Sequence, residues 1–287
     1  MFTSLNPPIA DWRRLRIWVV GASSGIGASL TQALIRAGAR LAVSARREQA
    51  LIDVMTPAIS SPGAVALSVA AIEAAGHLVL PADVIDEASV RAAHARAMAS
   101  WGGIDLTIWV AGTYIEMRAD DFDLARAKNV VDANINGVLN GLAVVVPMLL
   151  KQGRGGVAIV SSVAGYSGLP KALIYGPTKA ALINLAESLY LDLHPRGIGV
   201  TLISPGFVAT PLTAGNDFHM PALISAEEAA ARIMDGLARG RFEIHFPRRF
   251  TGWLKALRIL PYRQYFAMVG KATGTGSSLP HPRDANT

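Results

Sequence analysis

The stretch that most restricts the fold runs from residue 16 to residue 38. An apolar run, RIWVVG (16–21), leads straight into Gly21-Ala22-Ser23-Ser24-Gly25-Ile26-Gly27, and SGIGASLTQALIRAG (24–38) then carries a helical pattern closed by Gly38. Glycines at a strand-to-helix turn let the backbone bend without Cβ clashes and come close to a ligand. The helix start offers free N–H groups and a positive dipole end, which suit an anion. The loop therefore reads as a pyrophosphate cradle formed by Gly21, Ser23, Ser24, Gly25, Ile26 and Gly27. Its context is the one such a fingerprint requires, a strand before it and a helix after it; the competing reading is a tight turn that holds nothing.

The same alternation continues down the chain. Strand-like runs occupy 40–45, 77–84, 104–112, 156–162, 198–206 and 242–246, and helical patterns occupy 87–102, 121–152, 173–195 and 227–240. Strands buried on both faces and separated by helices predict an α/β fold, a Rossmann-type doubly wound parallel sheet flanked by helices on both faces. Residues 56–76 lengthen the connection between the second and third strands. The expected organisation is a catalytic domain over 1–246, then an extension over 247–287 whose turn-rich end reads as disordered.

Composition narrows the chemistry. A chain of 287 residues with 51% hydrophobic and 17% charged residues can bury a large core and is not a disordered chain. With no cysteine, disulfides, thiol nucleophiles and cysteine-based zinc sites are excluded. The histidines are scattered, none pairing at helical metal spacing, so no metal site is expected. The N-terminus carries no secretory pattern and no long uncharged apolar run appears, so the expectation is a soluble, cytoplasmic protein. The formal charge of +6 is concentrated. Between Arg239 and Lys271 stand eight basic residues and one acidic one, Glu243, which makes a nucleic-acid footprint across the whole domain improbable.

Several residues fall where strand and helix ends should meet at the glycine loop. Tyr175-Gly-Pro-Thr-Lys179 opens a helix, and its i, i+4 spacing puts phenol and ammonium on one face, with Pro177 in the first turn. Ser162 ends the fifth strand, Asn134 interrupts the long fourth helix, and Pro205-Gly206 ends the sixth strand, with Val208 and Thr210 beyond. The carboxyl ends of parallel strands converge on one crevice.

Together with the GxxxGxG spacing, these elements resemble the short-chain dehydrogenase/reductase family over about residues 15–246. The resemblance implies that Tyr175 is the general acid/base, that Lys179 lowers its pKa and holds the nicotinamide ribose, that Ser162 steadies the substrate oxygen, and that Asn134 holds a water in a proton relay. It also implies that Asp83 and Val84 contact adenine, that Ala111 and Gly112 wall the cofactor, and that Pro205, Gly206, Val208 and Thr210 complete its site. Two departures stand out: Val20 replaces the family's usual Thr, and Trp109-Val110 replaces Asn-Asn. Ser161, Asn136 and Thr178, neighbours of the chosen residues, read as structural.

Arg46 and Arg47 leave the second strand where an acidic residue would select against a 2′-phosphate. They can pair with that phosphate or add charge beside adenine, which favours NADP over NAD; the alternative is two solvated surface charges. The apolar segment over 207–225, with Phe207, Leu212, Phe218, Met220, Leu223 and Ile224, predicts a small hydrophobic alcohol or ketone as substrate, with Tyr166 and Leu169 opposite. Those apolar residues serve equally well as core.

The extension reads as two amphipathic stripes, Trp253/Leu257/Leu260 and Tyr262/Tyr265/Phe266/Val269, with Lys255 and Arg258 opposite the first. Such stripes suit packing on the domain or a second subunit, or peripheral contact at the inner face of a membrane through 247–271. The family resemblance implies a homodimer or homotetramer. The rival readings are a catalytically silent nucleotide-binding or membrane-associated scaffold module, and a sugar-nucleotide epimerase.

Overall fold

The computed structural model describes residues 4–60, 66–216 and 220–274. The turn-rich end beyond Gly274 and Phe218 of the apolar segment lie outside them. Seven parallel strands form one sheet: β1 (Arg16–Val20), β2 (Arg40–Ser44), β3 (Leu78–Val79), β4 (Leu106–Trp109), β5 (Gly155–Val160), β6 (Ile198–Pro205) and β7 (Glu243–Phe246). Their order is β3-β2-β1-β4-β5-β6-β7. The chain winds outward from β1 to β3 and then returns to lay β4 against β1 on its other side. That reversal leaves a crevice above the carboxyl ends of β1 and β4.

The strands lack polar alternation because both faces of the sheet are covered. On one face Ile17 and Val19 pack with α1 (Gly25–Arg36), α2 (Glu48–Ile59), α3 (Val69–Ala74) and α8 (Ala226–Ala238). On the other, Trp18 and Val20 pack with α4 (Glu87–Trp101), α6 (Gly137–Gln152) and α7 (Tyr175–Leu193). Successive strand residues point to opposite faces, so one strand feeds both cores. Each fully buried Leu, Ile or Val side chain contributes about 1.5–3 kcal/mol relative to exposure.

Several expected boundaries shift. The third strand is two residues long instead of spanning 77–84. It is an edge strand with one neighbour, and past Val79 only alternate bonds persist, Leu80 N–H to Val43 O and Ala82 N–H to Ala45 O. The connection before it is not plain loop. α2 forms there, burying Leu51, Ile52 and Met55, and α3 follows with Ser68 as its N-cap. The long fourth helix is broken: α5 (Leu124–Val131) passes into a π-helical turn, Asp132–Asn136, before α6. The combined run Leu124–Gln152 is long and apolar enough to cross a membrane, yet half of its apolar window is buried against the rest of the fold.

The extension folds back on the sheet's α4/α6/α7 side as α9 (Arg248–Leu257) and α10 (Tyr262–Thr273). α9 buries Thr251, Leu254 and Leu257. The expected Trp253/Leu257/Leu260 stripe is thus rotated, with Leu254 turned inward and Trp253 left 45% exposed. α10 divides its stripe: Tyr265 and Val269 are buried while Tyr262 and Phe266 are exposed. Two polar ties hold the pair. Tyr265 Oη donates to Gly168 O at 2.6 Å, and the Glu243 carboxylate accepts from both Lys255 Nζ and Tyr166 Oη.

Candidate active site

The crevice is a cleft of about 860 Å³. Gly21 enters it at φ +92°, and a Cβ there would lie 2.4 Å from Ala111 N. A Cβ on Gly27 would lie 2.0 Å from Gly21 O, so α1 touches the end of β1 backbone to backbone. Ser24 is the N-cap of α1 but its side chain makes no capping bond, which leaves the first-turn N–H groups to face the cleft. Gly21, Ser23, Ser24, Gly25 and Ile26 line the cleft; Gly27 sits behind them as the packing contact.

Arg46 and Arg47 line the same end, exposed, and neither makes a hydrogen bond or ion pair with another described residue. Asp83 and Val84 line it too, and Asp83 Oδ1 accepts from Ile85 N–H at 3.1 Å, closing the turn. Ala111, Gly112, Pro205, Gly206, Val208 and Thr210 complete the wall. Of the departures from the family pattern, Val20 and Trp109 are core residues, while Val110 is half-buried and lines the cleft. Val20 is buried among apolar side chains. The Trp109 indole is turned under the sheet, edge-on to Trp18 at 5.5 Å, and a Cβ on Gly141 of α6 would come within 2.0 Å of it.

At the other end stand Ser162, Tyr175 and Lys179, all lining the cleft. Tyr175 is the first residue of α7, so Lys179 follows one turn later, its Nζ 5.6 Å from the phenol ring centroid. Lys179 is buried, and its Nζ donates to Val160 O at 3.0 Å. Burial pushes the ammonium down to about 8. Burial pushes the Tyr175 phenol up to about 12; a hydrogen bond with Ser162 pulls it down, and charge repulsion from the neighbouring Tyr114 phenol group pushes it up again. Ser162 Oγ also accepts from Ala164 N–H at 3.1 Å, starting the short turn Val163–Gly165.

Asn134 sits in the π-turn, fully buried and behind the cleft wall rather than in it. Its Oδ1 accepts from Thr113 N–H at 2.7 Å, and its Nδ2 donates to Thr113 O and Thr178 Oγ1, each at 3.0 Å. The side chain ties the loop after β4 to α7, and its amide hydrogens are both spent. Two neighbours support this frame: Ser161 Oγ donates to Lys179 O at 2.7 Å and Thr178 Oγ1 donates to Tyr175 O at 2.7 Å, while Asn136 Nδ2 donates to Asp132 Oδ1 at the surface, away from it.

Sequence reasoning passed over Tyr114. Its ring meets Tyr175 edge-on at 5.1 Å, and its hydroxyl donates to Lys171 O at 3.2 Å. The available signal was an aromatic residue two positions after Gly112, at a strand's carboxyl end. Tyr166 and Leu169 do not line the cleft: Tyr166 is buried and donates to Glu243 Oε1 at 2.8 Å, and Leu169 packs on the core. Of the apolar segment, Leu212 lines the cleft, while Ile224 is buried through a bridge to Val208. Phe207 turns to Phe250, with ring centroids 5.8 Å apart. Among the described residues, no three His, Asp or Glu side chains are grouped to hold a metal.

A parallel doubly wound sheet with a glycine cradle at its switch point and a Ser–Tyr–Lys cluster across the cleft is the architecture of a dinucleotide-dependent oxidoreductase. The family model for short chain dehydrogenases matches residues 16–219, and the chain belongs to that family. An uncharacterized oxidoreductase of Myxococcus xanthus is 34% identical over 245 residues, covering 85% of this chain and 91% of that protein. A short-chain type dehydrogenase/reductase from Mycobacterium marinum superposes with a TM-score of 0.70 at 25% identity, covering 82% of this chain and 94% of that one. A short chain dehydrogenase from Burkholderia cenocepacia, solved in complex with NADP, shares the fold with a TM-score of 0.75 at 22% identity, covering 90% and 98%.

Proposed function

We propose that the protein is an NADP-preferring oxidoreductase that interconverts a hydrophobic ketone or aldehyde and its alcohol, with Tyr175 as the proton donor and acceptor. The observation that carries this reading is the convergence of Ser162, Tyr175 and Lys179 on the far end of a glycine-walled cleft. The residues present fit a dinucleotide. Cβ-free backbone at Gly21 and Gly25, uncapped N–H groups at α1 and unpaired guanidinium groups at Arg46 and Arg47 are what two phosphates and a 2′-phosphate require. The NADP bound by the Burkholderia cenocepacia neighbour supports the same choice.

Bound there, the dinucleotide supplies or accepts the hydride. Tyr175 does the proton work: with its phenol held up near 12 it carries a proton at neutral pH, the form needed to protonate a carbonyl oxygen. Ser162 accepts from Ala164 N–H and, beside the protonated phenol, keeps its single hydrogen to donate to the substrate oxygen. Lys179, anchored on Val160 O, keeps two N–H donors for ribose hydroxyls, and Gly112 leaves them room, since a Cβ there would lie 3.4 Å from Nζ. Asn134 acts behind the wall by fixing Thr113 against Thr178. Ile115 and Leu212 also line the cleft, and their apolar side chains favour an apolar substrate. Exposed Leu124, Leu139 and Leu191 on α5, α6 and α7 support a dimer or tetramer formed through these helices.

The test is a fluorescence titration of wild type and Arg46→Ala with NADPH and NADH. We expect NADPH to bind more tightly and Arg46→Ala to weaken it about tenfold or more, leaving NADH unchanged. Equal binding of the two by the wild type would end the NADP preference.

A further inference from the structure

The elbow between α9 and α10 carries a surface that neither catalysis nor the core uses. The inward side is spent, with Leu254, Leu257, Tyr265 and Val269 buried. On the outward side Ile259 is 84% exposed and Tyr262 79%, with Phe266 at 59% one turn along α10. The Tyr262 and Phe266 rings stack at 5.7 Å, and Ile259 stands exposed three residues before Tyr262, so the elbow presents an apolar tip. Arg258 and Arg263 flank it, both exposed and neither in an ion pair with a described residue. From Ile244 to Arg283 the sequence contains no acidic residue.

We propose that this elbow docks on an anionic lipid bilayer, with Ile259, Tyr262 and Phe266 entering the headgroup boundary and Arg258 and Arg263 meeting the acidic headgroups. Three features select that occupant. A tip that stands this far into solvent fits a deformable apolar layer better than a protein groove. Tyrosine presents an apolar ring with a polar end, as the interface demands. A second copy is disfavoured: a two-fold contact would set Arg258 and Arg263 against the same cations, with no carboxylate in the segment to pair them. The inference does not rest on the catalytic reading.

The experiment is co-sedimentation of the full chain with vesicles of phosphatidylcholine alone and of phosphatidylcholine mixed with phosphatidylserine. We expect binding to the acidic vesicles only, lost in about 1 M salt, where the screening length falls to roughly 3 Å. Arg258→Glu with Arg263→Glu should lower partitioning by roughly fivefold or more per cation, and Ile259→Ser with Phe266→Ser by a comparable factor. All four positions are exposed, and unchanged melting temperature certifies that the variants fold. Failure to sediment with acidic vesicles, equal binding to neutral ones, or wild-type binding by both double variants would overturn the proposal. So would an oligomer in solution that Ile259→Ser with Phe266→Ser dissociates, since a second copy would then cover the tip.

Discussion

At the nucleotide end of the cleft, Gly21, Gly25 and Gly27 stand where a Cβ would collide with its neighbours, and the backbone N–H groups at the start of α1 face the cleft beside the Arg46 and Arg47 side chains. At the catalytic end, Ser162, Tyr175, Lys179 and Asn134 are all side chains, each fixed by a hydrogen bond. The first end is specified by what is missing, the second by what is present. On this contrast Val20 in place of a hydroxyl residue should cost the nucleotide end little: the hydroxyl would have supported the loop, while the phosphate contacts would be main chain. A change of one atom at Tyr175 has no such cover.

The largest effect should come from that atom. Tyr175→Phe removes the proton and keeps the ring, so turnover should fall about 10²–10⁴-fold while NADPH affinity stays within twofold, read by steady-state kinetics beside titration. Retained turnover would break the contrast between the ends. Next in size is Gly27→Ala. Its Cβ would lie 2.0 Å from Gly21 O, so the loop must move, at about 1–3 kcal/mol. The expected signature is the inverse of the first: weakened nucleotide binding and a lowered melting temperature. An unchanged melting temperature with full affinity would show that the backbone contact is slack.

The third effect is smaller and opposite in sign. Burial lowers Lys179 from its ordinary 10.5 to about 8, so the unfolded chain binds more protons between those values and wild-type stability climbs with pH across that window. Lys179→Met removes the burial penalty. At pH 7 the variant should be inactive yet more stable by about 2 kcal/mol, the gain from charge less the hydrogen bond lost at Val160. Urea denaturation at pH 7 and near pH 10 checks it: the advantage should shrink at the higher pH. A variant less stable at both would show that the ammonium is well solvated.

Much of this was legible in the sequence for one physical reason: a parallel strand buried on both faces announces itself as an apolar run, and its carboxyl end announces the site. The glycine loop and the Tyr175–Lys179 spacing were readable because they are local. What escaped was set by distant partners. β3 stops at Val79 because an edge strand has one neighbour, which no pattern in 77–84 encodes. Tyr114 reaches Tyr175 only once the loop after β4 and α7 are brought together. Tyr166 looked like a pocket residue, yet Glu243 from β7 turns it away. In the extension, periodicity found amphipathic helices but placed the stripe of α9 one position off, because Leu254 rather than Trp253 meets the core.

The Trp109 indole against Gly141 ties the freedom of two distant positions together. With the ring in place, even a methyl group at 141 would collide with it at 2.0 Å. A larger residue at 141 therefore fits only where 109 has shrunk or α6 has moved away from the sheet, so neither position can be redesigned without the other.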